Sequence, residues 1–490
     1  RDRNNIFDKL KNYSDSDYYA FHMPGHKRNL DLMDGTSPYR IDITEIDGFD
    51  DLHHAEGILR DAQERAARVY HADETHFLVN GSTVGILSAI LGTTEKGDSI
   101  LVARNCHKSV YHAIYLNELD PVYLYPKFDT EQGLSTKIDA ADVQKALEEH
   151  PKIRAVMIVS PTYDGVVSDI EKIAEIVHAK GCPLIVDEAH GAHFGFDPYF
   201  PKSANIYGAD LVINSLHKTL PALTQTALLH VNGDMVKRRK VKQYLDMLQT
   251  SSPSYILMAS IDACIGMLEE TLETHSDARS DYKYKNIFSE YANRIEALRK
   301  DLKRLKYLKI IQTDNTDRYD RSKFVISVKH APMSSHELYE ILLHRYHLQM
   351  EMLAGTYVLA MTTVGDTQEG LDRLRDALLE IDKEIDTKQG RPAAIETDLP
   401  LSGRQPALEK VWTIAEAVNR RDKIQKRSFE DSIGCISVEY AYLYPPGSPL
   451  IVPGERITKE AVEILHWYQE HDFSIEGLQS EDGIEVWIDG

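Results

Sequence analysis

An α/β fold is what this sequence predicts, with a mostly parallel central sheet in a large domain and smaller α+β units after it. Three observations lead there. Between residues 76 and 231, short apolar runs alternate with helical stretches. Those runs are continuously apolar rather than alternating, as expected of strands covered on both faces. After about residue 308 the alternation gives way to a smaller mixed pattern, and a Pro/Gly-rich stretch over 387–406 precedes a last unit.

The elements follow in order. The first forty or so residues, with Pro24, Gly25, Gly35 and Pro38, read as loops, and 60–70 as an amphipathic helix. Strands are predicted over 76–79, 99–103, 121–125, 153–160, 183–188, 211–214 and 226–231. Helices are predicted to start from Thr83, His107, Ala140, Asp169 and Asp234. Parallel strands joined by helices make right-handed crossovers, and ligands collect at the carboxyl ends of such strands. Long helices are expected over 255–272 and 281–305, strands over 323–328 and 356–361, and a helix over 365–384. The last unit carries helices over 408–421 and 459–470 around a Pro-rich loop at 444–454. The predicted division is an N-terminal arm (1–55), a large domain (56–280), a small α+β domain (281–390) and a C-terminal domain (391–490). No internal repeat or low-complexity segment is apparent.

Composition bounds the function. The chain has 490 residues, 42% hydrophobic and 27% charged, which suits a soluble globular protein with a large core. No stretch approaches 18 consecutive apolar residues, so a membrane span is not expected. The start of the chain lacks the apolar core of a secretory signal. A net charge of −21 argues against non-specific nucleic-acid binding. It would favour approach of a cationic substrate, although an acidic soluble protein needs no such explanation. Cys106, Cys182, Cys264 and Cys435 are far apart and form no CxxC pair, which points to a reducing, cytoplasmic setting without structural zinc. His53, His54, His71 and His76, and the pair His22 and His26, lack the Cys or Glu spacing of a metal site, so no metal is predicted.

The most informative residues are a lysine and an aspartate at strand ends. Ser215-Leu216-His217-Lys218 follows the apolar run that ends at Asn214. An apolar neighbourhood disfavours the ammonium form and leaves an amine able to form a Schiff base near neutral pH. Pro183-Leu184-Ile185-Val186-Asp187-Glu188-Ala189-His190 is a second apolar strand that ends in a carboxylate. Alone, a lysine after a strand is usually a solvated surface group, and a strand-end aspartate usually a turn-former or cap. Together they match what pyridoxal phosphate needs: a lysine for its aldehyde and an anion that keeps its ring nitrogen protonated. Asn80-Gly81-Ser82-Thr83, between a strand and a helix start, suits an anion cradle, with helix capping by Ser82 or Thr83 as the plain alternative.

Ser215-Leu216-His217-Lys218, with Pro221-Ala222-Leu223-Thr224-Gln225-Thr226 after it, resembles the cofactor-attachment signature of the ornithine/lysine/arginine decarboxylases of fold type I. Further matches are Phe21-His22-Met23-Pro24-Gly25-His26-Lys27, Asp42 to Gly48 with Asp50 to His54, Asn80-Gly81-Ser82-Thr83, Val186 to His190, and Tyr444-Pro445-Pro446-Gly447 with Pro453-Gly454-Glu455. They run in family order over nearly the whole chain.

The resemblance implies pyridoxal 5'-phosphate as cofactor. It implies catalytic roles for Lys218, Asp187 and His107, the last stacked on the ring, where local helix capping is the alternative. It assigns the phosphate to Gly81, Ser82, Thr83, Ser215 and His217, with Ser252 in 250–255 offered by a neighbouring subunit. Ala189 would pack on the other ring face, with Thr162 near the ring hydroxyl and His190 either there or orienting Asp187. The implied reaction converts arginine, lysine or ornithine to the amine and CO₂, through an internal aldimine on Lys218 and a quinonoid intermediate. Lys218 or a nearby histidine would return the proton to Cα. Substrate contact is expected from the acidic loop at 42–51 and from Glu439 and Glu455, although each carboxylate singly reads as solvated or structural.

A homodimer or higher homo-oligomer, with the active site near the subunit interface, is implied, in a shorter form without an N-terminal receiver-like domain. One departure is Arg28-Asn29, where many relatives carry paired glycines. The alternatives are another fold type I reaction, such as transamination or aldol cleavage, and a non-catalytic regulator. Arg345 and Arg373 could serve as a transaminase-type carboxylate clamp, but no motif recommends them.

Overall fold

The computed structural model describes residues 15–22, 25–27, 29, 38–129, 131–273, 283–311, 318–387, 405–420, 422–444 and 447–488. Most of the Pro/Gly-rich stretch over 387–406 falls outside them, as do Met23, Pro24, Arg28, Pro445 and Pro446.

The large domain is built on seven strands: β1 (Glu74–Leu78), β2 (Ser99–Ala103), β3 (Asp120–Leu124), β4 (Ile153–Val159), β5 (Leu184–Asp187), β6 (Leu211–Asn214) and β7 (Ala227–Val231). Their order across the sheet is β1-β7-β6-β5-β4-β2-β3. The middle of the sheet is parallel, while β7 runs antiparallel to both β1 and β6. β5, β6 and β7 are buried at every residue, which explains their mainly apolar character.

Register then sets the chemistry. Asp187 is the last residue of β5 and pairs with Val159 and Ile213 at the same sheet edge. Asn214 ends β6, and Ser215 leads into the short helix Leu216–Thr219 that carries Lys218. The aspartate and the lysine therefore leave adjacent parallel strands at their carboxyl ends, where a doubly covered sheet opens to ligands.

The Phe21–Lys27 motif supports this turn from behind. Gly25 N–H donates to His217 O at 2.6 Å, and Thr363 Oγ1 donates to Gly25 O at 2.5 Å. A Cβ at position 25 would lie 2.7 Å from both Leu220 N and Leu220 O, so only glycine allows this approach. Asn29 Nδ2 donates to Gly365 O at 3.1 Å, on the same side of the molecule.

A second sheet follows: β8 (Lys309–Ile310), β9 (Lys323–Ser327), β10 (Met352–Ala354) and β11 (Tyr357–Met361), in the order β8-β9-β11-β10. The N-terminal strand Tyr19–Phe21 pairs in parallel with Leu348–Met350, tying the arm to this region. Two further three-stranded sheets and the helix Lys459–Glu470 make the last unit.

One predicted helix shrinks. The stretch 408–421 is helical only over Ile414–Asn419. Val411 and Trp412 N–H both donate to Gly454 O, at 2.9 and 3.1 Å, which holds the preceding chain extended. Thr413 and Glu416 form a capping box that starts the helix late. Part of the Pro-rich loop over 444–454 is instead the strand Ser448–Ile451.

Among the described residues no helix is long and apolar enough to cross a membrane, no His/Cys/Asp/Glu cluster could hold a metal, and the four cysteines are free.

Candidate active site

Ser82, His107, Thr162, Asp187, Ala189, His190 and Lys218 border one cavity of about 240 Å³. It lies at the carboxyl edge of the large sheet, and Leu443, Ser448 and Tyr468 of the last unit close it from the other side. A larger hollow of about 430 Å³ lies against Val69, Phe196 and Leu272; it is mainly apolar and touches none of the predicted residues.

Lys218 Nζ lies 3.2 Å from His190 Nε2. Burial lowers the lysine's pKa, while the charges of Asp187 and Glu351 oppose that shift. Asp187 is 3% exposed and accepts the Ala189 N–H at 3.0 Å. Burial raises its pKa and Lys218 draws it back down. Desolvation thus pushes a base and an acid each toward the neutral form. A protonated heterocyclic nitrogen would give the aspartate the counter-charge it wants.

His107 both caps a helix and borders the cavity. It is the N-cap of the helix Lys108–Leu116: its Nδ1 accepts from Ser109 N–H at 3.2 Å and lies 2.8 Å from Ser109 Oγ. Its ring also borders the cavity. Desolvation, then the Lys218 charge, lowers its pKa, so a neutral ring is presented.

The turn expected to cradle an anion has a defined geometry. Asn80 is the N-cap of the helix Gly81–Thr93 but makes no side-chain cap, because its Oδ1 accepts from Thr250 N–H at 3.1 Å. Capping by Ser82 or Thr83, the plain alternative, is not what the turn does. Gly81 adopts φ +73°, and Ser215 Oγ donates to Ser82 Oγ at 2.9 Å, bringing both phosphate candidates together.

Gly81, Thr83, Ser215, His217 and Ser252 do not border the cavity themselves. His217 Nδ1 is 2.9 Å from Thr226 O, so its ring is turned toward the backbone. Ser252 is exposed, on the loop whose Thr250 meets Asn80 of the same chain. Thr162 Oγ1 accepts from Val166 N–H at 3.0 Å.

Three of the carboxylates expected to meet substrate, Asp50, Glu439 and Glu455, have structural partners. Asp50 is pushed up by burial, but N–H donors from Asp51, Glu56, Gly57 and Leu59 more than offset this and hold it at about 2. Glu439 accepts from Gln479 and Glu485 N–H at 2.9 and 2.7 Å. Glu455 is fully buried against Arg104, 2.9 Å away.

Besides Asp187, the acid that borders the cavity is Asp164, which accepts from Tyr357 Oη at 2.5 Å and is raised to about 6 by burial. Sequence reasoning missed it, together with Tyr163, Tyr357 and Lys323. Lys323 carried a legible signal, a lysine opening an apolar strand. Tyr163 and Asp164 had only their closeness to Thr162.

The major-domain model of the Orn/Lys/Arg decarboxylases matches residues 4–341, and their C-terminal-domain model matches 404–486. The chain belongs to the Orn/Lys/Arg decarboxylase family. It is 36% identical over 468 residues to YaaO, an uncharacterized protein of Bacillus subtilis, covering 94% of this chain and 93% of that one. It is 31% identical over 469 residues to the arginine decarboxylase of Bacillus subtilis, covering 94% and 92%. The lysine decarboxylase LdcF of Francisella novicida has the same fold: TM-score 0.78 at 18% identity, over 98% of this chain and 80% of that one. The fold type I architecture expected from the resemblance is therefore what the family member has.

Proposed function

We propose that this chain decarboxylates a basic L-amino acid (arginine, lysine or ornithine) to the corresponding amine and CO₂, with pyridoxal phosphate bound in the cavity at the sheet edge. The observation that carries the reading is that Lys218, Asp187 and His107 border one cavity in a member of this family. The donor set fits the cofactor. A desolvated lysine can hold its aldehyde and a buried aspartate its ring nitrogen. His107 can stack on one ring face with Ala189 on the other. An uncapped helix start with Ser82 and Ser215 can take its phosphate.

When bound, pyridoxal phosphate supplies an electron sink for the charge left at Cα as the carboxylate departs. The chain supplies the rest. Asp187, shut away from water, keeps a proton on the heterocycle and so keeps the sink strong. The cavity walls exclude water from a carboxylate that must not be stabilised before it leaves. Lys218 and His190 beside it are the groups that would return a proton to Cα. Asp164, facing the same cavity, suits the cationic end of the substrate.

We further read the enzyme as a homodimer or larger homo-oligomer with the site near the interface, working in a reducing cytoplasm. The exposed Thr250–Ser252 loop beside the anion cradle and the free cysteines support these readings.

The test is direct. Purified protein supplied with pyridoxal phosphate is offered L-arginine, L-lysine and L-ornithine, and amine and CO₂ are measured. Borohydride reduction should leave a pyridoxyl group on the Lys218 peptide. Keto-acid-dependent amine transfer without CO₂, or an adduct elsewhere, would overturn the proposal.

A further inference from the structure

The helix that carries Lys218, Leu216–Thr219, is a single turn. Its backbone bonds run from Leu220 N–H to Leu216 O at 2.9 Å and from Lys218 N–H to Ser215 O at 3.3 Å. One turn does not hold its own shape, because ordering its residues costs more than so few bonds return. The carbonyls at such a helix end also need donors from elsewhere. His217 O finds one in Gly25 N–H at 2.6 Å, and the His217 ring is tied to Thr226 O. A brace on the residue before Lys218 therefore comes from the N-terminal arm.

The arm in turn is fastened to the second sheet. Tyr19–Phe21 pairs with Leu348–Met350. The loop after β11 holds the rest. Lys27 Nζ donates to Met361 O at 2.7 Å, Thr363 Oγ1 to Gly25 O at 2.5 Å and Asn29 Nδ2 to Gly365 O at 3.1 Å. That loop is itself cross-braced. Thr363 N–H donates to Asp366 Oδ2 at 2.6 Å, and Tyr19 Oη donates to Asp366 Oδ1 at 2.9 Å. Thr363 Oγ1 also accepts Gly365 N–H at 3.0 Å.

The space between the lysine turn and this loop is one peptide thick. A Cβ on Gly25 would lie 2.7 Å from Leu220 N and O. A Cβ on Gly365 would lie 2.7 Å from Gly25 O and 3.1 Å from His26 O. Glycine at 25 lets the arm meet the turn, and glycine at 365 lets the loop meet the arm.

From this run of contacts we propose that Thr363 is a positioning residue for Lys218, acting through Gly25. Its hydroxyl fixes the carbonyl of Gly25, and the N–H of the same glycine fixes the carbonyl next to the lysine. The second sheet thus sets where the lysine of the large sheet stands. No residue from Met361 to Asp366 borders the cavity, so the loop acts on the site only through the arm. The inference rests on the proposed function only for making Lys218 the group that matters.

The test needs no cofactor. Full-length protein stripped of any bound cofactor is compared as wild type, Thr363→Val and Thr363→Ser. Valine keeps the shape and loses the hydroxyl, while serine keeps the hydroxyl. Backbone hydrogen exchange over 216–220 and brief acetic anhydride labelling of lysines are both read by mass spectrometry. Thr363→Val should speed that exchange, and the acetylation of Lys218 relative to Lys323, by about tenfold, the factor one lost hydrogen bond carries. Thr363→Ser should stay within about twofold of wild type. Exchange over 459–470, in the last unit, should be unchanged in both, which a general loss of stability would not allow. Either readout left at its wild-type value in Thr363→Val, a serine variant as fast as the valine, or equal speeding over 459–470 overturns the proposal.

Should Thr363→Val fail to fold, hydrogen exchange of the wild-type protein in rising, sub-denaturing urea decides. The amides of Gly25 and Leu220 should open together, with the same dependence on urea. Different dependences overturn the proposal. A missing borohydride adduct at Lys218 would sink the proposed function and leave these rates untouched.

Discussion

Two buried charge sites, one at each side of the cavity, are built on opposite terms. Arg104 and Glu455 join the large domain to the last unit, at 1% and 0% side-chain exposure and 2.9 Å apart. Arg104 also donates to Leu450 O and Tyr111 Oη, both at 3.2 Å, and lies 5.0 Å over the Tyr123 ring. Glu455 accepts the Val452 N–H as well. Asp187 is buried and Lys218 half-buried, and their hydrogen bonds run to a backbone N–H and a histidine nitrogen rather than to an ion-pair partner. The first site spends its charge on holding two units together. The second holds an acid and a base that burial pushes toward their neutral forms, so a ligand that brings its own charge gains by completing it. Buried groups without an ion-pair partner in hydrogen-bond contact suit a place where chemistry is done, and a directly bonded pair suits a place where rigidity is needed.

The comparison breaks most visibly at the lysine. Lys218→Ala should lower turnover by at least about a thousandfold while leaving the melting transition within about 1 kcal/mol of wild type. Steady-state assays and a denaturant melt on the same preparation check both halves. A large loss of stability would show that the site is structural after all.

The opposite response is expected across the cavity. Glu455→Leu should cost about 3–5 kcal/mol in unfolding free energy, because Arg104 is left charged and unpaired. Adding Arg104→Met should recover much of that loss. Urea melts of the two single variants and the double variant form the cycle that decides it.

A titration sharpens the contrast. Glu188, buried beside Asp187, accepts from Ser203 Oγ, Ala204 N–H and Asn214 Nδ2, yet burial raises its pKa to about 7. A raised carboxyl keeps its proton in the folded chain where the unfolded chain has released it. Its contribution to stability therefore falls as pH rises from about 4.5 to about 7. Glu188→Gln should flatten the pH dependence of the melting temperature within that window, and an unchanged slope would refute the assignment.

The smallest effect belongs to the surface. Arg345 pairs with Glu380 and Glu384 at 2.7 and 2.6 Å, but all three side chains are more than a third exposed. Arg345→Ala should cost no more than about 1 kcal/mol, an effect that fades in high salt. A larger, salt-resistant loss would mean that distance alone ranks ion pairs in this protein.

Several features were legible in the chain. The strand over 211–214 and the helix over 459–470 appear at their predicted bounds, because continuous apolar runs and helical periodicity are local properties. His107 shows the limit of that reading: capping and cavity-lining looked like rivals, yet one ring does both. The helix over 408–421 shows another. Its early residues carry helical periodicity, but Gly454 O, more than forty residues away, takes the N–H groups of Val411 and Trp412. Glu455 looked like a substrate contact because nothing local reveals that it has met Arg104.

What the sequence alone determined was the kind of chemistry: a desolvated lysine and an aspartate, each ending an apolar strand, in a chain that carries the family's motifs in order. Tertiary structure decided which groups share a cavity. It placed Asp164 there, buried Glu455 against Arg104, and brought Lys323 from another sheet to the far side of the His190 ring. The physical reason is range. Burial and periodicity are written over a few neighbouring residues, whereas electrostatic partnership is settled by proximity between elements a hundred residues apart, which only the folded chain creates.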